Sequence, residues 1–224
     1  MARSIPAGGR ELRILHHRGL SGNLRLLLLE RDAPFRSGQV LGLTTGASIP
    51  PRLYSISSGE SDEAWEILYT VEAEGLFSPR LAALEEGDLL CVTGPSGDFC
   101  PTEGPQVWVA GGTGIAPFLS AARSGHASAS TMLIHAASSP ELLYGATIFE
   151  EVFGERYLRC SSRAQAGDAG IFRGRVGSLI ASCPDLPLDR PWFLCGPAEF
   201  VVDTRDLLIS LGLPYPLVRA EVYF

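Results

Sequence analysis

One short segment combines a cation, an aromatic ring and a hydroxyl in a pattern that suits a charged, planar ligand. It is "PRLYSISS", which carries Arg52, Tyr54 and Ser55. On a strand, alternation places Arg52 and Tyr54 on one face and Ser55 on the other. An arginine and a ring on one face can neutralise a ligand's charge and stack on its rings. The alternative is an ordinary strand whose arginine covers apolar neighbours.

A second segment predicts the start of a helix. In "GLFSPRLAAL", Gly75 to Leu84, Ser78 stands where an N-cap belongs, Pro79 follows at the first helical position, and an apolar run comes next. The first turn has no acidic residue, so its free N–H groups could receive a pyrophosphate. A helix cap without a ligand is the alternative.

Two further segments predict tight turns after buried strands. "GGTGIAP", Gly111 to Pro117, follows the apolar "QVWVA", and "FLCGPAEF" places Cys195 at the end of another apolar strand. Glycines at such turns let a ligand approach the backbone, and ligands of open α/β sheets bind at these strand ends. The alternatives are an ordinary turn and a cysteine that acts as a small buried hydrophobe.

A glycine-rich segment gathers several arginines. "CSSRAQAGDAGIFRGRV" is predicted to be a loop that offers Ser162, Arg163, Arg173 and Arg175. A serine with clustered arginines could hold a phosphate. A solvated loop is the alternative.

The elements that position these residues change character along the chain. From about Arg10 to Asp98, short apolar or alternating runs separated by Gly, Pro and Ser predict an antiparallel β-barrel or sandwich. From "PQVWVAGGTG" onward, apolar strands alternate with helical stretches, which predicts a Rossmann-like parallel α/β domain. The sequence therefore predicts one domain over residues 1–102 and another over 103–224.

Composition excludes several classes of protein. The net charge of −7 disfavours nucleic acid as a partner. No apolar run is long enough to span a membrane and the N-terminus does not resemble a signal peptide, so we expect a cytoplasmic protein. The five cysteines are scattered without a close pair, which argues against a metal or iron–sulfur site.

The order and spacing of these segments, together with the terminal "AEVYF", resemble the ferredoxin-NADP reductase family from about Leu12 to Phe224. The similarity is greatest to the compact bacterial ferredoxin or flavodoxin reductases. It implies an FAD-dependent oxidoreductase, with FAD on the N-terminal barrel and NADP(H) on the C-terminal domain. Electrons would pass between NADP(H) and ferredoxin or flavodoxin.

The resemblance also assigns roles to residues. Arg52 would neutralise the FAD pyrophosphate, Tyr54 would pack on the isoalloxazine, and Ser55 would lie near flavin N5. Cys195 would shape the nicotinamide pocket and Glu221 would poise charge there. Of the two terminal rings, Tyr223 would stack on the flavin face where nicotinamide arrives. The other residues assigned to cofactor binding are Leu53, Tyr69, Thr70, Val71, Gly75, Leu76, Phe77, Ser78, Gly112, Thr113, Gly114, Gly196, Pro197 and Phe224.

The coenzyme and the partners follow from the same resemblance. Ser162, Arg163 and either Arg173 or Arg175 fit the family's 2′-phosphate site, which favours NADP(H). Ser138 stands where relatives often carry a further arginine, so NAD(H) stays possible. We expect a monomer that docks ferredoxin or flavodoxin through a basic patch on the barrel. The candidates for that patch are Arg13, Arg18, Arg25, Arg31, Arg36, His16 and His17.

Three other functions remain as alternatives. One is the flavoprotein reductase component of an oxygenase, which shares the same pair of cofactors. A second is a non-catalytic flavin or electron-transfer subunit of a larger complex. A third is a module that binds nucleotide without turnover, although Arg52, Ser55 and the aromatic tail are all present.

Overall fold

The computed structural model describes residues 8–46, 49–101 and 104–223. Phe224, assigned above to cofactor binding, lies outside them. The chain divides into two compact units, Met1–Cys100 and Pro101–Phe224, each with its own sheet. We call them the first and the second unit.

The first unit is a six-stranded antiparallel sheet in the order β4-β3-β6-β1-β2-β5. A bridge between Ile56, just after β4, and Ile67 of β5 connects the two edges of this sheet. The strands are β1 (Arg10–Gly19), β2 (Leu24–Glu30), β3 (Val40–Thr44), β4 (Arg52–Ser55), β5 (Ala64–Thr70) and β6 (Leu89–Ser96), and one short helix, α1 (Ser78–Ala82), lies between β5 and β6.

Apolar side chains from one face of this sheet form the core of the first unit. Leu27, Leu29, Trp65 and Ile67 are fully buried in one cluster with the ring of Tyr69. Burial of this kind contributes about 1.5–3 kcal/mol for each large side chain. This core fixes the strands on which the predicted ligand residues stand.

The second unit is a six-stranded sheet, parallel throughout, in the order β10-β9-β8-β7-β11-β12. The chain runs outward from β7 to β10 and then returns to the other side of β7, so the strand order reverses between β7 and β11. Ligands of open α/β sheets bind at such a reversal. The elements are β7 (Val107–Gly111), α2 (Ala116–Arg123), β8 (Met132–Ala137), α3 (Ala146–Phe153), β9 (Tyr157–Ser161), β10 (Ile171–Arg173), α4 (Val176–Ala181), β11 (Trp192–Pro197), α5 (Ala198–Ser210) and β12 (Val218–Tyr223).

These two sheets confirm the predicted fold class, with an antiparallel β-domain followed by a Rossmann-like α/β domain. In the central strand β7 all five residues are buried, as expected for a parallel strand that is covered on both faces. No helix in the described ranges is long and apolar enough to cross a membrane.

The prediction of one continuous loop from Cys160 to Val176 is wrong. Ser161 ends β9, Ile171–Arg173 forms β10, and α4 begins at Val176. The reason is that β10 is only three residues long and is held by parallel pairing with β9, in which Arg173 lies opposite Ser161. Such pairing leaves little signal in the local sequence.

Candidate functional site

In the first unit, β4 presents the residues of the "RLYS" segment. Tyr54 is half-buried, and its ring lies 6.1 Å from the ring centroids of both Tyr69 and Phe77. Burial raises the pKa of Tyr54 to about 12, and the charge of Arg52 partly offsets that rise. Tyr54 therefore stays a neutral phenol at physiological pH.

Exposed leucines flank this aromatic cluster. Leu53 next to Tyr54 is 64% exposed, and Leu76 next to Phe77 is 75% exposed. Leaving such side chains in water is unfavourable, and apolar groups beside an aromatic cluster are typical of a ligand surface. Arg52 is exposed, and no carboxylate in the described part of the chain forms an ion pair with it. This face therefore offers apolar contacts beside an available cation.

The prediction that Ser78 caps α1 is wrong. Phe77 occupies the N-cap position of α1, and no side-chain hydrogen bond caps the helix there. Ser78 instead accepts a hydrogen bond from the Glu72 backbone N–H at 2.9 Å. A turn in which the Gly75 N–H bonds to the Glu72 carbonyl at 2.8 Å brings the two residues together, so the hydroxyl holds the loop rather than the helix.

The residues that precede this turn are the predicted Thr70 and Val71, and both are half-buried. The Val71 N–H donates to the Asn23 carbonyl at 2.9 Å, which continues the pairing of β5 with β2. The two ligand segments of the first unit are thus joined by a well-supported strand.

Several residues of the predicted basic patch are engaged elsewhere. Arg13 lies 3.7 Å from a Glu30 carboxylate oxygen, and Arg31 donates to the Ala33 carbonyl while its guanidinium lies 4.8 Å from the Phe35 ring centroid. His17 uses both ring nitrogens internally, and His16 pairs with Glu86. The structure leaves Arg18, Arg25 and Arg36 as the patch candidates with available side chains.

In the second unit, two turns meet at the reversal of strand order. Cys195 of β11 lies opposite Ala110 of β7 on one side and Glu221 of β12 on the other. A Cβ atom on Gly114 would lie 2.1 Å from the Cys195 carbonyl oxygen, so only glycine fits there. The "GGTG" and "CGP" turns therefore pack backbone to backbone.

Two more glycines at this edge make room for a ring. A Cβ on either Gly111 or Gly196 would lie 2.8 Å from the Phe200 ring. Gly112, between these contacts, has a φ of +55°, which glycine adopts without strain. The sequence patterns do not predict a role for Phe200, although it lies in the first turn of α5, the helix that follows the "CGP" motif.

The thiol of Cys195 is fully buried at this edge. Burial, and then the charge of Glu221, raises its pKa well above the ordinary value. A thiol with a raised pKa is a poor nucleophile. Cys195 is therefore suited to shaping the edge and not to covalent chemistry.

Tyr223 is attached to the same edge by two hydrogen bonds. Its hydroxyl donates to the Gly111 carbonyl at 3.0 Å and accepts from Thr113 Oγ1 at 3.2 Å. Burial raises the pKa of Tyr223 well above its ordinary value, with the nearby Cys195 adding to the rise. The strand end, the glycine turn and the aromatic tail are thus brought together within the second unit.

The predicted phosphate residues lie at the carboxyl ends of two neighbouring strands, β9 and β10. The Ser162 hydroxyl donates to the Ser138 carbonyl at 3.2 Å, which joins the turns after β9 and β8. Arg163, Arg173 and Arg175 are exposed, and no described carboxylate forms an ion pair with any of them. The charge of Arg163 contributes to lowering the pKa of Glu141, after that group's own hydrogen bonds. Exposed guanidinium groups at such an edge suit a phosphate.

Comparison with known proteins decides the family. The flavodoxin/ferredoxin-NADP reductase of Escherichia coli (strain K12) is 33% identical over 196 residues, which cover 77% of this chain and 78% of that protein. The chain belongs to the ferredoxin/flavodoxin-NADP reductase family. No family model matches it.

Other proteins that are similar to this chain are longer. The aromatic O-demethylase reductase subunit of an Amycolatopsis species is 33% identical over 197 residues, covering 79% of this chain and 57% of that protein. Flavohemoprotein A of Dictyostelium discoideum is 25% identical over 186 residues, covering 77% and 46%. The chain spans about half the length of these relatives.

Among solved structures, a ferredoxin NADP+ reductase from Neisseria gonorrhoeae shares the fold of the family. Its TM-score is 0.82 at 24% identity, over 97% of this chain and 99% of that one. This likeness extends the family's fold to both units.

Proposed function

We propose that the chain is an FAD-dependent oxidoreductase that exchanges a hydride with NADP(H) and single electrons with a separate ferredoxin or flavodoxin. The observation that carries the proposal is the edge of the second unit, where the glycine turn of β7, Cys195 and Tyr223 meet. Support also comes from the flavodoxin/ferredoxin-NADP reductase relative, because the alignment covers 78% of that protein.

FAD fits the residues of the first unit. Arg52 would neutralise the pyrophosphate, Tyr54 and the exposed Leu53 would cover the flavin, and Ser55 would lie near N5. The exposed Leu76 gives the second segment its own apolar contact. Bound FAD supplies an acceptor that takes two electrons from a hydride and releases them one at a time.

The nicotinamide fits the glycine edge of the second unit. Gly112, Thr113 and Gly114 would lie beneath it, while Cys195, Gly196 and Pro197 would close its pocket and Glu221 would poise charge. Hydride transfer needs an approach of about 3–3.5 Å, so the protein's work is mainly orientation. Tyr223 would keep the Gly111 carbonyl and the Thr113 hydroxyl hydrogen-bonded until the nicotinamide arrives.

The arginine edge favours NADP(H) over NAD(H). Arg163, Arg173 and Arg175 are exposed at the ends of β9 and β10, and none forms an ion pair with a carboxylate in the described ranges. A 2′-phosphate would gain charge-assisted hydrogen bonds there, each stronger than a neutral one.

A second candidate is the reductase component of an oxygenase. The aromatic O-demethylase reductase subunit supports it, because its identity to this chain equals that of the flavodoxin/ferredoxin-NADP reductase. Under this function the electrons would leave to an oxygenase or its ferredoxin.

Anaerobic titration of the purified protein tests the proposal. We expect a yellow protein whose flavin bands bleach at a much lower concentration of NADPH than of NADH. A colourless protein that takes up no added FAD would overturn the proposal. Equal bleaching by NADH, with faster turnover on an oxygenase-type acceptor than on ferredoxin or flavodoxin, would favour the second candidate.

A pair of matched variants tests the phosphate edge. Arg163→Ala should raise the KM for NADPH about tenfold and leave the KM for NADH unchanged, since one charge-assisted bond is worth about 1.5–3 kcal/mol. The control is Arg205→Ala, because Arg205 lies on α5 and pairs with Asp206. Equal losses with both coenzymes would contradict the assignment.

A further inference from the structure

Adjacent histidines of β1 have different surroundings. His16 is exposed, and its Nδ1 lies 3.1 Å from a Glu86 carboxylate oxygen. His17 is half-buried, with Nδ1 2.7 Å from the Leu84 carbonyl oxygen and Nε2 2.8 Å from the Tyr69 hydroxyl. Of these two histidines, His17 is the one whose ring nitrogens are both hydrogen-bonded to described residues of the first unit.

The partners of His17 fix its tautomer. A carbonyl oxygen can only accept, so Nδ1 carries the proton that bonds to Leu84. In the neutral ring Nε2 then accepts a hydrogen bond from the Tyr69 hydroxyl. The imidazole plane and the Tyr69 ring, whose centroids are 6.0 Å apart, are therefore held in one relative orientation.

Tyr69 lies against one of the residues that we propose bind the flavin, which are Arg52, Leu53, Tyr54 and Leu76. We call them the flavin surface. The Tyr69 ring is only 1% exposed, so it acts from beneath that surface. It meets the Tyr54 ring edge-on, with a centroid distance of 6.1 Å and an interplanar angle of 77°. Tyr54 in turn lies against Phe77.

The other bond of His17 reaches the second ligand segment of the same unit. Leu84 ends "GLFSPRLAAL" just after α1, and its N–H bonds to the Leu81 carbonyl at 3.2 Å. One imidazole thus connects the segment that carries Tyr54, through Tyr69, with the segment that carries Leu76 and Phe77. From the sequence, His17 is predicted only as part of a docking patch, and this connection is not predicted.

We infer that His17 is a positioning residue for the flavin surface, holding the Tyr69 ring behind Tyr54 and the end of α1 in register with it. This inference rests on the proposed function, because Arg52, Tyr54 and Leu76 are taken to bind FAD. His17 itself touches no reacting atom. Its loss should loosen FAD and change the surroundings of the flavin without removing any group that binds it.

Three variants and a control test this role in the full chain. His17→Leu removes both hydrogen bonds and should weaken FAD binding about tenfold, with a shift of the flavin's visible bands. Tyr69→Phe removes only one bond and should cause a smaller loss of the same kind. In His17→Gln the amide N–H and the amide oxygen supply both a donor and an acceptor, so binding should return to within about twofold of the parent. The control His16→Leu should leave the FAD Kd unchanged.

Coupling separates positioning from a general loss of stability. Residues in contact give non-additive effects, so the double variant His17→Leu/Tyr69→Phe should bind FAD no more weakly than His17→Leu alone. Thermal unfolding of the FAD-free variants shows whether each is folded. If His17→Leu does not fold, Tyr69→Phe and His17→Gln decide the matter.

The outcomes distinguish this inference from the function on which it rests. Unchanged FAD affinity and unchanged flavin bands in His17→Leu and Tyr69→Phe would overturn the positioning role and leave the proposed function standing. Additive losses, or equal losses in His16→Leu, would also overturn it. A parent protein that binds no FAD would overturn both.

Discussion

The two units build their candidate sites from different materials. In the first unit, ring contacts at about 6 Å between Tyr54, Tyr69 and Phe77 define the surface, so side-chain identity matters. In the second unit, glycine backbone lies directly against the Cys195 carbonyl, so the absence of a side chain matters. Ligand binding to a surface of rings should weaken gradually when one ring is changed. Ligand binding at a backbone contact should be lost when a single methyl group is added to the glycine.

The largest expected effect breaks the backbone contact. Gly114→Ala would place a Cβ atom 2.1 Å from the Cys195 carbonyl oxygen, so the two turns must separate. We expect binding of NADP+ to fall at least a hundredfold, measured by calorimetry, while FAD stays bound.

The matched control is Gly19→Ala at the end of β1, because a Cβ on Gly19 would meet no atom within 4 Å and its φ is not in the left-handed region. Gly114→Ala protein with normal NADP+ affinity would show that the second site is as tolerant as the first.

Low pH should also reduce the stability of the second unit. His135 on β8 is fully buried, and burial, with the charge of Arg159, lowers its pKa to about 3. An unfolded histidine has a pKa of about 6.5. Between these values the unfolded chain takes up a proton that the folded chain refuses, so stability is full above pH 6.5 and falls as the pH drops towards 3.

We expect the second unit to lose on the order of a few kcal/mol of stability between pH 7 and pH 4 through this one group. Hydrogen exchange read by mass spectrometry reports each unit separately. His135→Gln, which takes up no proton in this range, should flatten the pH dependence. The same slope in both proteins would show that other groups govern acid sensitivity.

A graded loss is expected when the charge of the first unit is altered. Arg52→Ala should weaken FAD binding about 10- to 100-fold, since charge-assisted hydrogen bonds contribute about 1.5–3 kcal/mol. Arg52→Lys keeps the charge but loses the bidentate geometry of the guanidinium, so its FAD affinity should lie between that of the parent and that of Arg52→Ala. Fluorescence of released FAD measures both, and equal losses in both variants would favour geometry over charge.

The smallest expected effect concerns a side chain in the backbone-built site. Tyr223→Phe keeps the ring but removes its bonds to the Gly111 carbonyl and Thr113 Oγ1. At the low end of about 0.5–1.5 kcal/mol for each of the two bonds, together about 1 kcal/mol, NADP+ should bind about fivefold more tightly. Adenosine 2′,5′-bisphosphate lacks nicotinamide, so its affinity should not change.

Tyr215→Phe is the control for that variant, because Tyr215 is exposed. Tighter binding of both nucleotides to Tyr223→Phe would show that the hydroxyl acts on the whole second unit and not at the nicotinamide position.

Local sequence patterns predicted the fold class and most strands. The five buried residues of β7 and the alternation in β1 are each visible in a few consecutive letters. The strand β12 was predicted only as an aromatic tail, because what makes it a strand is its pairing with β11, more than twenty residues away. Short β10 was missed for the same reason.

Within the candidate sites, the residue types were predictable and the contacts were not. The "GGTG" and "CGP" motifs could be found by eye, but nothing local reveals that Gly114 packs on Cys195. The Ser78 hydroxyl could bond either to the first turn of α1 or to the Glu72 backbone. The turn at Gly75 brings it to the Glu72 N–H. His17 could be separated from His16 only by the strand's pairing partners.

The burial of Cys195 has a practical consequence for labelling. Cys91 and Cys160 are buried as well, whereas Cys100 and Cys183 are half-buried. Thiol reagents attack accessible thiolates first. Burial raises the pKa of Cys183, and its Sγ donates a hydrogen bond to the Leu179 carbonyl at 3.3 Å, so a maleimide dye should react first with Cys100 and only slowly with Cys183. The natural sequence therefore already carries one attachment point for a dye that spares the candidate site, without any engineered cysteine.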